Sequence, residues 1–163
     1  MAVWQIRLSG DVQPIALDEG LIFIGWEKIP DLSTMKSKED LAVICAKNYP
    51  LEKSATIANW AGQLWTFREK IQSGDLIMVP LKGRSAFAVG RITGPYQYNP
   101  DLLFNIRHTR TVKWIEKEIP RSIFEQDILR SLGSILSVCQ IQRNDAENRI
   151  LAILSNRKGV EIL

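Results

Sequence analysis

The order of strand-like and helix-like stretches constrains this chain most. Ala2 to Leu8 alternates, Val3, Gln5 and Arg7 on one side and Trp4, Ile6 and Leu8 on the other, which predicts a short strand. Ser9-Gly10-Asp11 reads as a turn, and Leu21 to Trp26 as a second strand closed by Gly25. Ser37, with Asp40 three residues on, predicts a capped helix to about Lys47, stopped by Pro50. Ser54 caps a longer helix whose Ile57, Ala61, Leu64, Phe67 and Ile71 recur at helical spacing, with Gly74 as its C-cap. Strands follow over Leu76 to Pro80, Ala86 to Thr93 and Thr109 to Ile115. A short helix over Ser122 to Leu132, an extended segment over Ser134 to Gln142 and a helix capped by Asn144 close the chain. This order does not alternate strand with helix. It predicts an α+β fold, a small mixed β-barrel with flanking helices. Residues 1–140 form that barrel, and 141–163 a helical tail that pairs with a partner or leads into a further domain.

With 163 residues, one domain, or one domain plus a terminal appendage, fits. Charge is unevenly placed. Between Lys82 and Lys117 seven Lys/Arg face only Asp101 and Glu116, a net +5 where the whole chain carries +3. Tyr96, Tyr98, Phe104 and Trp114 lie among them. Cations interleaved with aromatic rings suit a polyanion whose bases can be stacked; a solvated basic face is the plain alternative.

Cys45 and Cys139 sit in apolar surroundings and read as buried thiols of a reducing cytoplasm. With His108 the only histidine, a zinc site is not expected. No apolar run approaches a membrane span, and no signal peptide opens the chain. Nothing predicts a cofactor. An enzymatic reading finds no Gly-x-Ser-x-Gly, no Gly-x-x-x-x-Gly-Lys and no Glu-x-Lys at any of the ten glutamates. That favours a binding module over a catalyst.

Three constellations could bind. His108, Arg110, Val112 and Trp114 alternate onto one strand face; Trp114 reads as core and Arg110 as a phosphate contact. Asn59, Trp60 and Gln63 open a helix, where an amide matches a base edge and an indole stacks; Trp60 serves packing equally well. Gly62 in the helix interior suggests a close approach. Trp26, past a strand end, is a cage wall or a rim aromatic, and Tyr96 and Tyr98 a cage or loop packing.

These residues resemble the EVE branch of the PUA-like superfamily: Trp4 in the first strand, Asn59-Trp60 opening a helix, Gly74-Asp75 starting a strand, and Val89-Gly90. Ala58 departs from that pattern, which has Arg there. The chain is also similar to the N-terminal region of Mrr-like restriction proteins, through Ile24-Gly25-Trp26, Asp31-Leu32-Ser33, Asn59-Trp60-Ala-Gly-Gln63, Gly94-Pro-Tyr96-Gln-Tyr98 and His108-Thr-Arg110-Thr-Val112-Lys-Trp114.

The resemblance implies a PUA-like barrel of EVE/YTH type that holds a modified, methylated base, flipped from DNA, in an aromatic cage. It would be the specificity domain of a restriction and antiviral defence system, with the nuclease in a separate domain or partner. Trp26, Asn59, Trp60, Gln63, Tyr96 and Tyr98 would meet the base. Arg84, Arg91, Arg107, His108, Arg110 and Lys113 would hold the phosphates. An RNA reader, or an assembly module that forms a homo-oligomer through its last helix, are the alternatives.

Overall fold

The structure, a computed structural model, describes residues 1–103 and 105–158. Phe104 and the last five residues of the expected tail lie outside the described residues. In chain order come β1 (Val3–Ile6), α1 (Gln13–Glu19), β2 (Leu21–Ile24), α2 (Lys38–Asn48), α3 (Ser54–Trp65), β3 (Leu76–Pro80) and β4 (Ala86–Ile92). Then follow β5 (Gln97–Tyr98), β6 (His108–Pro120), α4 (Gln126–Ser131), β7 (Val138–Gln140) and α5 (Ala146–Lys158).

The strands form one curled sheet in the order β2-β6-β4-β3-β1-β7, with β5 added to β6. Among the described residues only β1 and β3 run parallel; Val3 faces Leu76 and Gln5 faces Met78. The expected α+β class and small barrel with flanking helices hold.

The sheet has two buried faces, so β3 reads as an unbroken Leu-Ile-Met-Val run rather than an alternating one. Ile77 and Val79 face the concave side, where Ile57, Ala61 and Leu64 of α3 and Leu41 and Cys45 of α2 pack. Leu76 and Met78 face the convex side with Phe87, Val89 and Ile119. Ala146, Ile150, Leu151 and Leu154 of α5 cover that second side with Ile128 and Leu132. The apolar stripe of the tail helix is thus covered by the chain's own sheet. Each fully buried Leu or Ile there contributes about 1.5–3 kcal/mol.

Local chemistry explains the element ends. Ser37 Oγ accepts from Asp40 N at 3.2 Å, as its spacing predicts. Ser54 is no cap; Lys53 holds that position and α3 runs into a π-helical turn at Thr66–Lys70. Gly74 is not a C-cap but a turn at φ 95° leading into β3. Asp75 fixes that turn: its carboxylate accepts from Ala2 N, Trp4 Nε1 and Gln72 N at 3.1, 2.8 and 2.9 Å. The Trp4 and Gly-Asp features are therefore one buried clamp between β1 and β3. Gly90 lies where β4 meets β6 through a bulge, and a Cβ there would stand 2.5 Å from Val112 Cγ1. Helix α1 was not predicted, although Pro14 near its start and Gly20 as its left-handed cap mark both ends.

Candidate nucleic-acid interface

The segment from Gly25 to Ser37 follows β2 and is held from both sides. Tyr49 Oη accepts from Lys28 N at 3.2 Å, and Lys28 Nζ stands 5.4 Å from the Tyr49 ring centre. On the other side Leu32 N donates to Tyr96 Oη at 3.1 Å, and His108 Nε2 lies 3.1 Å from Ile29 O. A carbonyl only accepts, so Nε2 carries the proton, Nδ1 is the acceptor, and Tyr96 Oη donates to it at 2.7 Å. Burial, more than any other influence, pushes the His108 pKa below its usual range and that of Tyr96 up. The histidine is a neutral, buried linker.

The predicted base-binding residues fall into two groups. Trp26 and Trp60 meet edge-on with centroids 6.2 Å apart, and Tyr49 packs on Trp60 at 5.1 Å. Tyr96 stacks on His108 at 5.9 Å and Tyr98 tilts against it at 5.1 Å. Among the described residues no ring pair joins the groups, and five surface clefts are lined by other residues. The structure thus brings Trp26 and Trp60 together and pairs Tyr96 and Tyr98 with His108 instead, two aromatic supports flanking the 25–37 segment. Gln63 is buried and committed: Nε2 donates to Asn59 Oδ1 at 2.7 Å and Oε1 accepts from Val138 N at 3.0 Å. It ties α3 to β7 and does not face a base. Asn59 is exposed. A Cβ on Gly62 would meet only Lys38 Cε at 3.9 Å, an ordinary contact, so the expected close approach is absent.

The predicted phosphate-binding residues divide too. His108, Arg110, Val112 and Trp114 do share a strand face, but it is the concave, buried one. Arg110 is 3% exposed. Its Nη1 donates to Phe67 O and Ile71 O at 3.0 and 2.8 Å, and its Nε to Gly94 O at 2.8 Å. Burial lowers its pKa. Arg110 and His108 are structural, not phosphate contacts, because their polar atoms already have protein partners inside. Trp114 packs on the core and donates to Ala16 O at 3.0 Å, as read. Arg107 Nε donates to Leu102 O, and Arg91 Nη1 to Gly74 O. Arg84 pairs with Glu118 at 3.3 Å, and Lys113 is exposed.

A cleft of 260 Å³ opens where the two edges of the curled sheet approach one another. Arg7 and Leu8 beyond β1, Phe23 and Gly25 at the end of β2, and Ser137 before β7 line it, with Glu27 and Asn105. Nothing lies within 4 Å of where a Gly25 Cβ would sit. Trp26 leaves the chain between two of the lining residues. The sequence offered a faint signal for Arg7, a cation in a short apolar strand. It offered none for Asn105, which lies on a loop that only the closed fold brings to β2. Among the described residues no group of three or more His, Cys, Asp or Glu could hold a metal ion, and no helix is long and apolar enough to cross a membrane.

The chain is similar to the YTH domain of Zygosaccharomyces rouxii MRB1 in complex with N6-methyladenosine RNA: 12% identity, TM-score 0.50, 94% of this chain and 83% of that one. The fold is therefore the YTH-type half-barrel. The YTH domain-containing protein mmi1, in a complex with RNA, aligns over 97% and 86% with 6% identity and a TM-score of 0.49. Protein Atu2648 from Agrobacterium tumefaciens aligns over 100% and 97% with 10% identity and a TM-score of 0.43. No curated protein matches. Residues 4–135 match the domain of unknown function DUF8426, and the chain belongs to that family.

Proposed function

We propose that this protein is a nucleic-acid module that reads a modified base turned out of its strand into the seam cleft. The observation that carries this is the cleft's make-up. Phe23 offers an apolar wall, the bare Gly25 leaves room beside it, and Asn105 and Glu27 bring an amide and a carboxylate to one place. An amide donates and accepts together, and a carboxylate accepts from an exocyclic amine, so the pair matches a base edge. At 260 Å³ the space is below the about 300–1,000 Å³ of drug-sized sites, which suits one base. Trp26, between the lining residues Gly25 and Glu27, packs edge-on against Trp60. Extrusion of a base costs a few kcal/mol, offset by contacts made in the cleft. A methyl group in an apolar slot adds about 1–3 kcal/mol.

The module has no chemistry of its own in this reading; DNA is its polymer and a nuclease elsewhere acts on what it recognises, as in Mrr-like restriction. Support for that role is the likeness of the sequence motifs. A second reading, RNA, is favoured by the N6-methyladenosine RNA bound to the YTH domain of similar fold.

The test is a binding panel at fixed salt: DNA and RNA oligonucleotides carrying 5-methylcytosine, 5-hydroxymethylcytosine, N6-methyladenine or no modification. One modified base is expected to bind at least about tenfold tighter, which is about 1.4 kcal/mol. Asn105→Ala should erase that preference. Equal affinity across the panel rejects the reading.

A further inference from the structure

In the 82–117 segment Arg91, Arg107 and Arg110 donate to backbone carbonyls and Arg84 pairs with Glu118, whereas other cations lie beside the base cleft. A second cleft, of 380 Å³, lies next to it on the convex side. Arg130 and Ser131 of α4, Ser134, Cys139 of β7 and Arg143 line it, and no acidic residue does. The acids on α4 and just before it are already compensated: Asp127 pairs with Arg149 at 2.6 Å and Glu125 with the same guanidinium at 3.2 Å. Arg130 and Arg143 are exposed, and neither guanidinium has an ion pair or side-chain hydrogen bond among the described residues.

The two clefts share a wall. Ser134 lines the second cleft, and its carbonyl accepts from Nε of Arg7, a residue of the first, at 2.6 Å. Ser137 faces one cleft and Cys139 the other. Arg7 therefore stands at the junction, with its terminal nitrogens unpartnered among the described residues. From it a cationic track leads over the 134–139 segment to Arg130 and Arg143.

We propose that this track binds the phosphodiester backbone of the strand whose base enters the seam cleft, Arg7 beside the extruded nucleotide and Arg130 and Arg143 on the phosphates that follow. Guanidinium groups suit the role because their planar donors match phosphate oxygens pairwise. Such contacts position the strand and carry no sequence information. The inference rests on the base-reader reading but makes a separate demand on affinity.

The experiment measures binding of short single-stranded oligonucleotides, with and without the modified base the panel selects, between about 50 and 200 mM salt. Each phosphate contact on a single strand contributes about 0.7 to the slope of log K against log salt. The double variant R130Q/R143Q should flatten that slope by about 1.4 and weaken binding about tenfold at the lowest salt, equally for modified and unmodified strands. R130K/R143K should restore most of both, and far-UV melting should match wild type, since both side chains are exposed. R84Q/K113Q, on the segment the sequence favoured, should leave the slope unchanged. Wild-type slope and affinity in R130Q/R143Q, or a slope that follows R84Q/K113Q instead, overturns the track while leaving the base reader standing. No binding of wild type to any strand overturns both.

Discussion

Tyr96→Phe removes one oxygen atom and tests how the recognition segment is held. In the structure that oxygen accepts from Leu32 N at 3.1 Å and donates to His108 Nδ1 at 2.7 Å. Leu32 is 0% and His108 1% exposed, so water cannot replace either contact without opening the site. A buried polar group left unpartnered costs about 1–3 kcal/mol. Two such groups give about 2–4 kcal/mol after local relaxation, with the ring contacts to Phe67 and His108 kept. A tautomer change does not rescue the loss, because it would turn a bare Nε2 towards Ile29 O. Urea unfolding followed by tryptophan fluorescence measures the difference, and the slope with urea should not change. The variant should also bind the preferred oligonucleotide more weakly, since the Gly25–Glu27 wall depends on this anchor. A loss below about 0.5 kcal/mol, within the range of ordinary surface substitutions, refutes the linkage.

The remaining predictions are shorter. His108 is the only histidine, and burial depresses its folded pKa below the unfolded value of about 6.5. Above that pH both states are neutral; below it the unfolded chain takes a proton the native ring refuses, so stability falls as pH drops, by up to about 1.4 kcal/mol per unit. Urea titrations between pH 7.5 and 5 should show this decline, and a flat profile contradicts the neutral linker. Gly90→Ala drives a methyl against Val112, Lys113 O and Trp114 and should lower the melting midpoint by about 5–10 °C; calorimetry reads it. Gln5 Oε1 is buried without a partner, so Gln5→Met should be neutral or stabilising by about 1 kcal/mol in the same urea assay, despite the lost bond to Ser134 O. Burial pushes the Cys45 thiol up to about 11, so iodoacetamide should label half-buried Cys139 first and reach Cys45 only on unfolding, as peptide mapping would show.

Much of the fold was legible because local chemistry agrees with global packing. Leu76–Pro80 is bounded by a Gly-Asp turn and a proline, and it emerged with its predicted ends. The β6 strand ran further than expected, to Pro120, because the β4 bulge at Gly90 extends pairing that alternation alone does not reveal. The α5 stripe was legible as apolar but not as covered, since nothing in 144–154 says which surface it meets. The candidate site was less legible. Trp26 and Trp60 do meet, yet the cleft beside them is built from chain segments as distant as Arg7, Asn105 and Ser137. Residue type names possible chemistry, while the fold decides which atoms remain unpartnered.

Arg110 and Arg130 show how that decision is made. Both are arginines, and both could reach a phosphate by composition alone. Arg110 stands on a strand face whose neighbours are Val112 and the core, and it meets three carbonyls left open by the π turn and the Gly94 bend. Moving it to a phosphate would strand those acceptors, each at about 1–3 kcal/mol, and no surface contact worth about 1 kcal/mol repays that. Arg130 projects from a helix whose own acid is held by Arg149, so binding an anion breaks nothing. A positively charged stretch of sequence is thus weak evidence for where a polyanion lies. The stronger guide is a cation whose release from the protein is already complete before the ligand arrives, and on this fold such cations flank the seam cleft on its convex side.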